Sequence, residues 1–235
     1  MEPRANRRQR PRKDATPGGL TTPRAAGVAG IMFAVLFMAS VLAVRSFVEP
    51  ESTGLLATVG DVVGDDVSFV PAYLVPFSGI AFLWFVGAVR DRFGIYEDRF
   101  FASVFLGSAV VFVAMLFAAG SVVAGLLTLA EPTSATTALG QSIARGMFYL
   151  YGAKSAGVFT LVASMIILRI GAASRWAALV GLAIGAVLLL SGDLFDMAIL
   201  LFPVWVALIS ILILVQVPER ATPQAQASEM PNSDA

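Results

Sequence analysis

The stretch FFASVFLGSAVVFVAMLFAAGSVVAGLLTLA, residues 100–130, runs for about 30 residues without a charged side chain. A helix of about 20 apolar residues crosses the roughly 30 Å of bilayer hydrocarbon, so this stretch predicts a membrane helix longer than the crossing requires. It must tilt strongly or project from the bilayer. A helix is expected because hydrocarbon offers no partner to backbone N–H and C=O groups, which must then bond within the segment.

Working outward, five more apolar segments share this character: residues 25–44, 70–89, 139–170, 175–190 and 197–215. Together the six predict an all-α polytopic membrane bundle of six transmembrane helices, one domain over residues 25–216. Residues 1–24 and 217–235 are expected to be disordered tails, because they are polar and lack apolar periodicity. The first segment, AAGVAGIMFAVLFMASVLAV, is long for a signal-peptide core and no small-x-small cleavage site follows it. It predicts a retained signal anchor. Pro71 suits a first helical turn, whereas Pro76 and Pro203 predict kinks in the second and last helices. Hydrophobic residues make up 57% of the chain, above the roughly 45–50% usual for soluble domains.

Orientation follows from where lysine and arginine fall. The N-terminal tail carries Arg4, Arg7, Arg8, Arg10, Arg12, Lys13 and Arg24; Arg90, Arg92 and Arg99 follow the second segment; Arg169, Arg175 and Arg220 fall on the same side. Against these thirteen, the other side holds only Arg45 and Arg145, with Lys154 inside the fourth segment. Both termini are therefore expected in the cytoplasm of a cell whose inner (plasma) membrane holds the chain. The outer loops carry eight carboxylates: Glu49, Glu51, Asp61, Asp65, Asp66, Glu131, Asp193 and Asp196. The basic tail can lie on anionic lipid, and nothing in the charge pattern points to nucleic acid.

The chain has no cysteine and no histidine. That excludes disulfides, thiolate sites, histidine-ligated haem and Ser-His or Cys-His catalysis. No phosphate-binding glycine loop or serine nucleophile elbow is present, and no cofactor is implied.

Four residues form the candidate polar cluster. Lys154 is foremost, because a lysine at a helix centre costs roughly 2.5–3.5 kcal/mol to insert. If Arg169 marks the inner interface, Lys154 lies about 7 Å below the outer one, a depth its stem can snorkel. It is read either as snorkelling or structurally paired, or as facing a substrate. Asp193 and Asp196, in the turn before the last helix, are the expected partners; Asp196 also suits capping of that helix. Arg145 lies nine residues before Lys154, on the opposite face at 100° per residue, and is expected to meet headgroups or Glu131. Ala153, Gly157, Thr160 and Ser164 form a small and polar stripe, and Gly181 and Gly185 a small-xxx-small pair. Both predict close helix–helix approach, although Thr160 and Ser164 could instead line a path. Asp61, Asp65 and Asp66 lack calcium-loop spacing and are expected to be solvated acids.

Two stretches, RFFASVFLGSAVVFVAMLFAAG and SRWAALVGLAIGAVLLL with the following LLFPVWVALISILIL, carry the distinctive pairs Arg175-Trp176 and Phe202-Pro203-Val204-Trp205. They resemble a group of small actinobacterial integral membrane proteins catalogued only as hypothetical or conserved. The resemblance covers about residues 25–216 and implies six helices and an actinobacterial inner membrane, with no activity to carry over. The expected function is accordingly a non-enzymatic integral membrane protein, an accessory or subunit in an envelope process with a membrane protein partner. The alternatives are a small transporter or channel using Lys154 with the Thr160/Ser164 stripe, and a lipid-acting membrane enzyme.

Overall fold

The computed structural model describes residues 22–48, 70–93, 99–131, 133–170, 175–190 and 198–215. The two tails, the acids Asp61, Asp65 and Asp66, and the turn that carries Asp193 and Asp196 lie outside them.

The described elements are all helices, with no strand among the described residues. Helix α1 spans Thr22–Val48. A π-helical turn, Val70–Leu74, runs directly into α2, Val75–Phe93. Helix α3 is Arg99–Leu127. Helix α4, Ser134–Arg145, passes through a π-helical segment, Gly146–Gly152, into α5, Ala153–Ile170. Helices α6, Arg175–Leu190, and α7, Leu201–Val215, complete the chain. Five spans are long and apolar enough to cross a membrane; α6, with 16 residues, is a shorter apolar helix.

One helix boundary shifts. The fourth rod starts at Ser134 rather than Leu139, because Thr133 and Thr136 cap each other reciprocally. The Thr136 amide donates to the Thr133 hydroxyl at 3.2 Å and the Thr133 amide to the Thr136 hydroxyl at 3.1 Å. Two free N–H groups are thereby satisfied, and residues that read as a turn start a helix. Pro203 falls in the first turn of α7. A 3₁₀ turn at residues 198–200 leads directly into α7, so the helical path changes pitch just before the proline.

The helices form an antiparallel ring in the order α1, α2, α3, α5, α6, α7, closing back on α1. Close approaches fix the direction of each rod. Gly27 and Gly30, near the start of α1, sit against Leu214 and Ser210 near the end of α7. Gly120, late in α3, meets Val75 at the start of α2, and Gly140 in α4 meets Leu126 at the end of α3. At the opposite end, the Arg169 guanidinium of α5 lies 4.4 Å from the centroid of the Phe101 ring in α3, a cation–π contact. The helix ends that carry Arg24, Arg90, Arg99, Arg169 and Arg175 therefore gather at one end of the bundle.

Phenylalanine fills the ring's centre. Phe82 of α2 stands 4.8 Å from Phe33, 5.1 Å from Phe159, 5.2 Å from Phe112 and 5.5 Å from Phe202, centroid to centroid. Five helices thus meet through one cluster of rings, mostly tilted or edge-to-face as the ring quadrupoles prefer. The outside is equally apolar: Val35, Trp84, Val111, Trp176 and Val204 are all exposed. Helices apolar on every side have no water-facing stripe, and an exterior of this kind fits hydrocarbon as its solvent.

Candidate functional site

The small stripe of α5 is where two backbones touch. A side chain added at Gly157 would come within 3.0 Å of the Gly185 carbonyl oxygen and 3.1 Å of the Leu189 nitrogen. One at Gly181 would collide with the Ser164 hydroxyl and the Trp205 indole nitrogen. Glycines on α5 and α6 thus interlock, and small residues permit the van der Waals contact that holds helices together in lipid.

Thr160 and Ser164 are both fully buried, Ser164 against Gly181 of α6. The Thr160 hydroxyl donates to the Ala156 carbonyl of its own helix at 2.7 Å. Ser40, Ser78 and Ser210 do likewise to Leu36, Val75 and Val206. A hydroxyl bonded to its own helix needs no water. The Trp205 indole donates to the Ala177 carbonyl at 3.2 Å and pins α7 to the start of α6. Ser164 Oγ has no hydrogen-bond partner among the described residues.

Lys154, the second residue of α5, is half-buried. Its expected partners Asp193 and Asp196 lie outside the described residues. Among the described residues, no three His, Cys, Asp or Glu side chains gather as a metal site would need.

Arg145 occupies the most structured polar position. It is the last residue of α4, exposed, immediately before the π-helical segment. Its guanidinium lies over the Tyr149 ring, 5.9 Å from the centroid. The wider π turn advances each residue by less than 100°, so the half-rotation expected between Arg145 and Lys154 does not carry over. Arg145 lines a cavity of about 120 Å³ and Lys154 does not. The walls come from several elements: Phe37 and Ser40 of α1, Val75 of α2, Leu116 of α3 and Phe148 of the π segment. Ser40, Arg145 and Tyr149 are the polar side chains in an otherwise hydrocarbon-like lining. The sequence does carry a signal for this place: glycines at 146 and 152 bracket the aromatic run Phe148-Tyr149-Leu150-Tyr151, and π segments recur at functional sites.

No protein-family model, curated protein or solved structure matches the chain.

Proposed function

We propose that the chain is a non-enzymatic, six-span protein of a cell's inner (plasma) membrane, with both termini in the cytoplasm, that acts as an accessory or subunit of an envelope assembly. One observation carries the preference over a transporter: the centre of the ring is packed with phenylalanine, the Thr160 hydroxyl is buried and bonded to its own helix, and the Ser164 hydroxyl is buried against Gly181 of α6. A carrier needs a wet cavity that reaches its polar groups, and a core of interlocked rings leaves no room for one. The gathering of Arg24, Arg90, Arg99, Arg169 and Arg175 at one end supports the inward orientation of that end. For α6 to be the sixth span, its 16 residues, about 24 Å long, need the flanking turns or a locally thin bilayer to complete the crossing. The likeness to small actinobacterial membrane proteins belongs to the same proposal.

The absence of native cysteine makes the test direct. Single cysteines at positions 160 and 164 are expected to resist a water-soluble maleimide in intact membranes, while one at the exposed position 145 reacts from outside the cell. A reporter fused after Ala235 is expected to be active only in the cytoplasm, and a partner protein to co-purify in mild detergent. Rapid labelling at 160 or 164 would overturn the packed-core proposal in favour of a conducting path.

A further inference from the structure

We propose that Trp205 is a two-position latch: its indole N–H alternates between the Ala177 carbonyl of α6 and the Ser164 hydroxyl of α5, so that this bond ties α7 to α6 in one state and to α5 in the other.

One buried hydroxyl departs from the pattern of the others. Ser40, Ser78, Thr160 and Ser210 are buried, and each donates to a carbonyl of its own helix. Such a local bond satisfies a hydroxyl in an apolar interior without help from a neighbouring helix. Ser164 is buried as completely, yet its Oγ has no hydrogen-bond partner among the described residues. It lies against Gly181, across the seam between α5 and α6. A buried polar group without a partner is destabilising, so an arrangement that supplies one has a thermodynamic reason to form.

The donor is within reach. A single carbon added at Gly181 would collide with both Ser164 Oγ and Trp205 Nε1. The unpaired oxygen and the indole nitrogen therefore flank the same small space, which is open because residue 181 has no side chain. The indole N–H goes to the Ala177 carbonyl at 3.2 Å, at the long end of the N–H···O range. Ala177 loses little when that donor leaves. Its carbonyl has two lone pairs, and the α-helical pattern of α6 directs the Gly181 amide to it in either state. The move replaces one hydrogen bond by another and pairs the Ser164 oxygen. Two arrangements with the same number of bonds lie close enough in free energy for both to be populated.

The effect on the bundle follows from which helices the bond joins. Helices α5 and α6 stay interlocked through Gly157 and Gly185, whose backbones meet without any contribution from the indole. What the latch changes is the tie between α6 and α7. The ring is thus built to loosen at the α6–α7 joint while the α5–α6 joint holds.

Trp84 and Trp176 are both exposed, so Trp84→Phe combined with Trp176→Phe leaves Trp205 as the sole indole of the full chain. The measurement is nitrogen-15 relaxation dispersion of that indole in detergent micelles, which reads exchange on the microsecond-to-millisecond scale of collective helix motion. The double-Phe parent is expected to show dispersion. Adding Ser164→Ala is expected to abolish it and to leave one indole proton shift, that of the carbonyl-bonded state. Ser40→Ala, which removes a buried hydroxyl of α1 bonded to its own helix, should leave the dispersion intact. A flat profile in the parent, an unchanged profile in Ser164→Ala, or an equal loss in Ser40→Ala overturns the proposal.

Discussion

Gly157→Leu is expected to cost about 3 kcal/mol or more and to separate α5 from α6. The magnitude follows from what the new side chain meets. Overpacking an ordinary core costs roughly 1–3 kcal/mol, because neighbouring side chains change rotamer or shift slightly. At Gly157 the nearest atoms are the Gly185 carbonyl oxygen at 3.0 Å and the Leu189 amide nitrogen at 3.1 Å, with Leu188 Cβ also at 3.1 Å. Backbone cannot change rotamer, so the whole of α6 must move. Even Gly157→Ala should lose about 1–2 kcal/mol, despite alanine being the better helix former by about 1 kcal/mol. Gly107, in α3, supplies the control, since a side chain added there meets nothing within 4 Å. Gly107→Leu should be neutral or slightly stabilising. Thermal unfolding of the three variants in one detergent checks the ordering, and equal melting temperatures for Gly157→Leu and Gly107→Leu would falsify the glycine-interlock account.

Phe82→Ala is expected to cost about 2–4 kcal/mol. Ordinarily most of such a loss is hydrophobic transfer from water. In a bilayer that term largely vanishes, since lipid tails are as apolar as the core. What remains is the void and the dispersion attraction its lining forfeits. Phe82 has an unusual share of that attraction, because its ring neighbours come from α1, α3, α5 and α7 at centroid distances of 4.8–5.5 Å. Phe82→Leu should recover more than half of the loss by refilling volume. Phe100→Ala, at an exposed ring, should cost less than about 0.5 kcal/mol. A Phe82→Ala protein as stable as Phe100→Ala would show that the rings only fill space already held open by other parts of the bundle.

These two positions show how differently the sequence speaks about faces and centres. Gly157, Gly181 and Gly185 stand out in one dimension, because spacings of three and four put small residues on one helix face whatever lies opposite. Phe82 does not. Seventeen phenylalanines are spread through the chain, and in helices apolar all round no periodicity separates those that meet at the centre from those, such as Phe100, that face outward. The candidate cluster divides in the same manner. Lys154 is conspicuous in sequence because a charge interrupts an apolar run, and it is half-buried in the structure. Arg145 is less conspicuous, yet it lines the cavity at that end of the bundle. The 100° rule that separates the two assumes an unbroken α-helix, and the π turns of Gly146–Gly152 invalidate it.

Sequence alone determined that the chain is helical, that it carries apolar segments of membrane-spanning length, and that its basic residues favour alternate loops. Each of these is a property of composition along a line, set by the cost of placing backbone dipoles and charges in hydrocarbon. Tertiary structure decided the ring order, the phenylalanine centre, the burial of Thr160 and Ser164, and the hollow beneath Arg145. Those depend on which apolar surface meets which. In lipid the hydrophobic effect no longer distinguishes inside from outside, so shape complementarity between helices makes that choice.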